Sequence, residues 1–349
     1  MTVAGKPVLG WDVGGANIKV ARVDGSAAAA VVIERPFPLW REHERLPSVL
    51  AELADRIGRA DEMAVTMTAE LADCFATKRE GVAFVLDAMG AACPSTGLQV
   101  FGVDGNFRTA ADAHASPNEV AAANWMATAM WAARTKPDAI VIDVGSTTTD
   151  IVPIVGGRVA ATGRTDRARL QSGELVYTGC LRTPIGAIIR SVPLANGRCR
   201  VAAEHFSVAA DAYRWLGRIA EADYTCETPD GRGRSRLEAG ARLARMVCAD
   251  PETLGDDEIT AIAAHVARAQ TRQIAGAIRQ VTRRLGRDAP GVALVAGGGA
   301  FLGRAAAERS GLAMCEPDGA LGGRAGRAAP AVAVACLLWE RLYAGVATR

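Results

Sequence analysis

The chain has 349 residues, 50% of them hydrophobic, and its 40 basic residues nearly balance 38 acidic ones, which leaves a formal net charge of +2. One hydrophobic core stops growing well below this length, so we expect two lobes. The arginines are scattered instead of forming basic blocks, a distribution that argues against a nucleic-acid-binding protein.

The sequence pattern carries no targeting or membrane signal. Its first residues lack the basic segment followed by an apolar stretch that a secretory signal requires. The longest apolar run, residues 328–339, contains Pro330 and is too short to span a bilayer. We therefore predict a soluble, cytoplasmic protein with no membrane partner.

The eight cysteines and four histidines form neither a CxxC pair nor a cluster with zinc-ligand spacing. We expect most of the cysteines to be reduced and to fill the core. A metal site at Cys199 and His205, or around Cys226, would need partner ligands that the sequence does not place nearby.

The first half of the chain predicts a hairpin followed by alternating helices and strands. Residues 8–23 favour a β-hairpin, because apolar residues flank the segment WDVGGAN and glycines occupy its bend. The next helix carries Pro47 in its first turn, where the missing N–H costs nothing. The predicted elements are helices over residues 46–57, 82–92 and 120–133 and strands over residues 62–68 and 98–103.

The opening pattern returns in the second half. Residues 139–144 form an apolar run that ends in DVGSTTTD, and IVPIVGGRV predicts a second glycine-turned hairpin. This repeat suggests two lobes built on related sheets, with domains over residues 1–135 and 136–349. The other predicted elements are helices over residues 214–222, 237–248 and 259–285, a strand over 291–296, a loop over 225–235, a flexible stretch GALGGRAGR and a final apolar helix.

Two strand ends carry an acid followed by glycine, and a third strand ends in GGG. Glycines let backbone N–H groups approach anionic oxygens, and a carboxylate can hold hydrated Mg²⁺. One such turn is usually an ordinary hairpin, but the three together are more specific. We predict that Asp12, Asp143 and Lys19 are catalytic and that both aspartates bind the metal. The phosphate groups of a ligand would be bound by Gly14, Gly15, Asn17, Gly145, Ser146, Thr147, Thr148, Gly297, Gly298 and Gly299.

This constellation resembles the actin-like ATPase superfamily of sugar kinases, heat-shock chaperones and actin, and the resemblance covers nearly the whole chain. It implies an α/β fold of two ribonuclease H-like lobes with a central cleft. More closely, the chain is similar to hydantoinase/oxoprolinase-related proteins of tetrahydromethanopterin-linked C1 metabolism. The segments that carry this likeness are WDVGGANIKVA, VTMTAELADCFATKREGV, IDVGSTTTDIVPI, GELVYTGCLRTPIGAI and APAVAVA.

The archaeal members of that family are methanofuran-biosynthesis synthases, which join an aminomethylfuranmethyl diphosphate to γ-glutamyltyramine through an ether bond and release diphosphate. The resemblance implies a transferase with a phosphorylated substrate, a phenolic acceptor and Mg²⁺ or a similar divalent cation. Asp12 or Asp143 would assist removal of the phenolic proton. The sequence leaves a homodimer open.

Two further segments combine polar groups with the family likeness. The first segment, residues 66–73, follows a strand end, where clefts of α/β sheets form. A helix N-cap followed by solvated acids explains the same residues equally well. In the second segment, GELVYTGCLRTP, Arg182 could donate two hydrogen bonds to the oxygens of a phosphate group. A surface arginine together with a packed Tyr177 is an equal alternative. The predicted substrate-binding residues are Thr68, Glu70, Asp73, Glu174, Tyr177 and Arg182.

Two other functions stay open. An ATP-dependent small-molecule kinase, or a hydantoinase/oxoprolinase-like hydrolase of the same fold, would use the segment GGGAFLG to cover adenine. A non-catalytic nucleotide-sensing or filament-forming actin relative would polymerise without turning over a small molecule.

Overall fold

A computed structural model describes residues 6–25, 27–94, 96–315 and 323–343 of the chain. The chain divides into two compact units, the first made of residues 1–141, 152–171 and 315–349 and the second of residues 142–151 and 172–314. This division differs from the predicted boundary at residue 135, because the terminal helix belongs to the first unit. In the described part, no helix is both long and apolar enough to cross a membrane.

The strands are, in chain order, β1 (Val8–Val13), β2 (Asn17–Val23), β3 (Val31–Pro36), β4 (Glu62–Met67), β5 (Gly97–Phe101), β6 (Phe107–Arg108), β7 (Ala139–Val144), β8 (Thr149–Val155), β9 (Arg158–Val159), β10 (Leu175–Val176), β11 (Ser191–Leu194), β12 (Gly197–Arg200), β13 (Val292–Ala296) and β14 (Ala313–Cys315). The α-helices are α1 (Leu39–Glu42), α2 (Leu46–Ile57), α3 (Lys78–Ala92), α4 (Ala110–Ala115), α5 (Asn124–Thr135), α6 (Asp166–Ser172), α7 (Ile185–Ile188), α8 (Ala209–Trp215), α9 (Arg236–Arg245), α10 (Asp256–Leu285), α11 (Ala300–Arg309), α12 (Gly323–Arg327) and α13 (Ala329–Tyr343).

The first unit is built on a sheet of strand order β3-β2-β1-β4-β5-β6. β1 pairs antiparallel with β2 and parallel with β4, and all six of its residues are buried. Leu9, Trp11 and Val13 of β1 belong to the hydrophobic core of this unit. α2 adds to that core because its buried residues recur at helical spacing: Leu46, Val49, Leu50, Leu53, Ala54 and Ile57.

α13 packs against β1, β2, β4 and α5 of the first unit. At Gly10 the approach is so close that a Cβ atom would overlap the backbone of Ala331. Ten consecutive residues, Ala329–Leu338, are buried, and their alanines and valines let the helix lie directly on the strands. The terminal segment APAVAVA is therefore a core element of the first unit.

The second sheet has the strand order β10-β8-β7-β13-β14, with β9 paired to β8, and β11 pairs with β12 as a separate ribbon. α10 is 30 residues long and packs against α8, α9 and α11 of the second unit. Its buried face includes Ile262, Val266, Ile274, Ile278 and Val281. This face closes the core of the second unit.

The structure confirms the predicted hairpin at residues 8–23, the helix at 46–57 and the strand at 139–144. The predicted helix over 120–133 begins only at Asn124, because Ala121 forms a bridge with Met67 and Ala122 has a φ of 50°. A helix over 214–222 is wrong, since the helix of this region is α8 at Ala209–Trp215.

The stretch GALGGRAGR was expected to be flexible. Its residues 319–322 lie outside the described part, and residues 323–327 form α12.

Candidate functional site

The first glycine turn joins β1 to β2 and is closed by a hydrogen bond from the Gly14 N–H to the Asn17 carbonyl, 3.0 Å long. A Cβ atom at Gly14 would lie 2.8 Å from that carbonyl oxygen and 3.4 Å from Oγ1 of Thr68. The Thr68 N–H donates to the Val13 carbonyl at 2.9 Å. The structure thus brings Gly14 and Asn17 together with Thr68, which the sequence placed in a separate segment.

The carboxylate of Asp12 lies on β1 directly opposite Lys19 on β2. Its Oδ2 is 3.9 Å from Nζ of Lys19, and the Asp12 side chain is 8% exposed, against 20% for Lys19. Asp12 is also in register with Thr66 of β4, so the three side chains share one face of the sheet. The ion pair is nearly buried, with Asp12 two residues before the turn and Lys19 two residues after Asn17.

The second glycine turn joins β7 to β8 in the same way, with the Gly145 N–H bonded to the Thr148 carbonyl at 2.9 Å. A Cβ atom at Gly145 would meet nothing closer than that carbonyl, at 3.5 Å. Ser146, Thr147 and Thr148 are partly exposed, and Oγ of Ser146 lies 3.4 Å from Oγ1 of Thr147.

The GGG segment, residues 297–299, packs directly against the second turn. Gly297 has a φ of 86°, and a Cβ atom there would overlap Oδ1 of Asp143 and the carbonyl of Val144. The Gly299 N–H donates to the Val144 carbonyl at 2.9 Å, whereas Gly298 has nothing within 4 Å of an added Cβ. Asp143, Gly145 and the GGG segment therefore form one cluster in the second unit, and only glycine suits the position beside the carboxylate.

A third segment, residues 178–183, packs against the backbone of the second turn and forms hydrogen bonds with it. The N–H groups of Leu181 and Arg182 both donate to the Ser146 carbonyl, at 3.1 and 2.9 Å. Gly179 is so close to the backbone of Ser146 and Thr147 that a Cβ atom would lie 2.5 Å from both. The backbone of Arg182 therefore lies next to the second turn.

Sequence reasoning missed a buried polar network that supports this segment. Nε2 of Gln270 on α10 donates to Oγ1 of Thr178 at 2.8 Å and to the Gly179 carbonyl at 3.0 Å. The Tyr213 hydroxyl donates to Oε1 of Gln270, and Thr149 donates to the Thr178 carbonyl. A glutamine on the apolar face of α10, between Val266 and Ile274, was the signal that could have revealed it.

A charged cluster lies beyond the first turn. Glu70 is 1% exposed, and its Oε1 is 3.5 Å from Nζ of Lys78, which is 2.6 Å from Oδ2 of Asp166. Oε2 of Glu70 has no hydrogen-bond partner among the described residues. Burial raises the pKa of the Glu70 carboxyl to about 7, and Lys78 opposes that shift.

The other predicted substrate residues have different surroundings. Asp73 is exposed, and Tyr177 is 63% exposed. Glu174 is fully buried and accepts a hydrogen bond from Nη2 of Arg284 on α10. The N-cap alternative is wrong for Thr68, because the following helix, α3, is capped by Thr77.

No group of three acid, histidine or cysteine side chains in the described part is arranged to hold a metal ion. Mg²⁺ commonly binds through one or two carboxylates together with phosphate oxygens and waters, so a complete protein cage is not required. Asp12 and Asp143 each stand beside a glycine turn and fit that mode. The eight cysteines are free thiols.

Comparison with known proteins places these features in context. The hydantoinase/oxoprolinase family model matches residues 61–341. A relative from Methanocaldococcus jannaschii, (4-{4-[2-(gamma-L-glutamylamino)ethyl]phenoxymethyl}furan-2-yl)methanamine synthase, is 40% identical over 255 residues, which is 72% of this chain and 74% of the relative.

Solved structures share the fold at low sequence identity. The nucleotide-free structure of acetone carboxylase matches with a TM-score of 0.55 and 10% identity, over 95% of this chain and 70% of that one. The ethanolamine utilization protein EutJ from Carboxydothermus hydrogenoformans matches with a TM-score of 0.50 and 14% identity, over 97% of this chain and 92% of that one. The predicted actin-like ATPase fold class is confirmed.

Proposed function

Because this chain belongs to the hydantoinase/oxoprolinase family, we propose that it is a transferase of C1-carrier cofactor biosynthesis. It condenses an aminomethylfuranmethyl diphosphate with the phenol of a glutamyl-tyramine and releases diphosphate. The observation that carries this proposal is the 40% identity to the archaeal synthase, whose name describes the ether that such a condensation forms.

The chemistry needs stabilisation of the leaving group and removal of one proton. The phenolic oxygen bonds to the furfuryl carbon, and the carbon–oxygen bond to diphosphate breaks with its electron pair on the leaving group. Backbone N–H groups of glycine turns stabilise such developing negative charge. One glycine turn follows Asp12 and another follows Asp143, and this repeated pattern supports the proposed role.

The phenolic proton is taken up by a carboxylate, for which Asp12 and Asp143 are the candidates. Lys19 stands beside Asp12 and adds positive charge near the first turn. We include Mg²⁺ in the proposal: Asp12 or Asp143 would hold it, and when bound it neutralises charge on the diphosphate. A phosphorylated small molecule and a phenol are the proposed partners, and the cytoplasm is the proposed location.

The test is a reaction without nucleotide. Purified protein, Mg²⁺, aminomethylfuranmethyl diphosphate and γ-glutamyltyramine should give an ether and an equal amount of diphosphate, measured by mass spectrometry. The Asp143→Asn variant should keep its fold and lose activity by on the order of 100-fold, because an amide lacks the charge that the site requires. Ether formation only with ATP, accompanied by equal amounts of ADP, would overturn the proposal.

A second candidate function is an ATP-dependent enzyme, and one cavity favours it. A space of about 490 Å³ in the second unit is lined by Tyr213, Phe301 and several arginines, including Arg268. The rings of Tyr213 and Phe301 meet edge to face at 4.8 Å, and Phe301 follows the GGG segment by two residues. An aromatic wall with a basic rim suits a nucleotide, and the ATP requirement in the same assay separates the two candidates.

A further inference from the structure

The first unit contains a cavity of about 540 Å³ near the carboxyl end of β4. Two of its lining residues, Leu71 and Lys78, follow β4 in the chain, and a third, Ala121, pairs with the last residue of that strand, Met67. The segment that begins at Leu71 also reaches the first glycine turn, because a Cβ atom at Gly15 would lie 4.0 Å from Cβ of Ala72. The cavity is therefore close to the proposed leaving-group site of the same unit.

Two of the cavity's lining side chains are leucines that are unusually exposed. Leu71 is 60% exposed and Leu170 is 47% exposed. Large apolar side chains with this much exposure lose the stabilisation that burial would provide. Because both line one cavity, they indicate a ligand with an apolar part.

The charged residues of the cavity indicate an anionic group on the same ligand. Lys78 is held between Asp166 and Glu70, so its charge is compensated within the protein. Arg164 donates one hydrogen bond to the Val103 carbonyl at 2.9 Å, which fixes its position. Arg164 and Arg167 both line the cavity, and within the described residues neither of them has an ion-pair partner.

Rigid donor pairs on guanidinium groups match the two oxygens of a carboxylate. The cavity lining contains no glycine turn of the kind that supplies backbone N–H groups to diphosphate. Two arginines beside two leucines therefore suit a carboxylate attached to an apolar body better than they suit a diphosphate.

We propose that this cavity binds the γ-glutamyl end of the phenolic acceptor. Arg164 and Arg167 pair with its free α-carboxylate, and Leu71 and Leu170 contact the apolar arm that leads to the phenol. The assignment rests on the proposed function, in which the acceptor is a glutamyl-tyramine. It makes the cavity the site that distinguishes this acceptor from a simple phenol.

The test compares γ-glutamyltyramine with tyramine, which lacks the carboxylate. Arg167→Ala is the informative variant, because Arg164 also holds the backbone at Val103. Arg167→Ala should lower the ratio of kcat/KM for γ-glutamyltyramine to that for tyramine about tenfold or more, mainly through KM, as expected for a lost charged hydrogen bond. Arg79→Ala is the matched control, since Arg79 is exposed on α3 and outside the cavity lining, and it should leave the ratio unchanged.

Calorimetric binding of γ-glutamyltyramine gives a second readout that does not depend on turnover. Binding that weakens in Arg167→Ala but not in Arg79→Ala supports the cavity assignment, even if no ether forms and the proposed function fails. Ether formation by all variants with an unchanged acceptor ratio would overturn the cavity assignment and leave the proposed function standing. Equal losses for both acceptors would also overturn it.

Discussion

A carboxyl group at Glu70 that is almost fully buried makes folding depend on pH. Its pKa is about 7 in the folded protein, against an ordinary value of 4.5, and burial is the main cause. The folded state therefore holds a proton between these two pH values that the unfolded chain releases. Stability contributed by this group is greatest below pH 4.5 and falls as the pH rises toward 7.

Replacing Glu70 by glutamine should remove this pH dependence. Between pH 4.5 and pH 8, the free energy of unfolding of Glu70→Gln should rise by roughly 3 kcal/mol relative to that of the natural chain, the equivalent of the pKa shift. Urea denaturation of both proteins at the two pH values measures the difference. If the difference in free energy of unfolding between the two proteins is the same at both pH values, Glu70 is not a buried carboxyl group with a raised pKa.

The three glycines of the GGG segment should respond differently to a side chain. Gly298 has open space around an added Cβ, so Gly298→Val should fold with nearly unchanged thermal stability. If the segment lies at the ligand, as we propose, the side chain fills ligand space and diphosphate binding should weaken about tenfold or more. Gly291→Val is the control, because Gly291 is equally open but precedes β13. If calorimetry shows that Gly298→Val binds diphosphate with normal affinity, the ligand does not lie at this segment.

The site residues that the sequence could predict are those with a local signature. Acids at strand ends followed by glycine, as at Asp12 and Asp143, are visible in a few consecutive letters. The contact between Gly297 and the Asp143 carboxylate and the support of Gly179 by Gln270 join residues about 90 or more positions apart. Such contacts follow from the arrangement of whole elements, so a single sequence does not reveal them.

At the scale of elements, the glycine-turned hairpins and the long amphipathic helices were predictable because each carries its own pattern. α8 was placed several residues too late, since its start depends on Asp211, whose carboxylate accepts from the Val208 N–H at 3.1 Å. β3 was missed because it is an edge strand with no buried residue and no clear alternation. Both errors concern elements defined by their partners.

Asp211 also connects α8 to α9 through a buried ion pair. Its side chain and that of Arg242 are both 0% exposed, and Oδ1 of Asp211 accepts from Nε of Arg242 at 2.8 Å. The Tyr224 hydroxyl donates to the same oxygen, and Ser207 donates to Oδ2. A single carboxylate thus satisfies donors from three segments of the second unit.

Removal of that carboxylate should be far more costly than removal of one of its partners. Asp211→Ala removes one of the two ion-pair partners of the buried Arg242, and it also removes the acceptor of the Tyr224 and Ser207 hydroxyl groups. This loss should lower the free energy of unfolding by about 3 to 5 kcal/mol. Ser207→Ala, the milder comparison, removes one hydrogen bond and should cost about 1 kcal/mol. Urea denaturation followed by circular dichroism measures both, and equal costs would contradict a central role for Asp211.

At the scale of the whole molecule, the repeated hairpin was a correct sign of two sheets, but the linear division of the chain at residue 135 does not describe the two units. The first unit also includes residues 152–171 and the C-terminal segment 315–349, so the chain enters it more than once. A sequence shows that α13 is apolar, but it does not show which sheet the helix covers. The overlap that a side chain at Gly10 would make with Ala331 explains why β1 carries glycine there.

Deletion of α13 should therefore affect the two units unequally. A chain that ends at residue 328 loses the ten buried residues Ala329–Leu338, and this exposes the face of the first sheet on which α13 packs. Amide hydrogen exchange, read by mass spectrometry, should show β1 losing its protection while the middle of α10 keeps its own. Gly10→Val is the point-mutant counterpart, and it should produce the same pattern with a smaller loss, since overpacking costs typically about 1 to 3 kcal/mol. Unchanged protection of β1 in the shortened chain would mean that α13 is not part of the first unit's core.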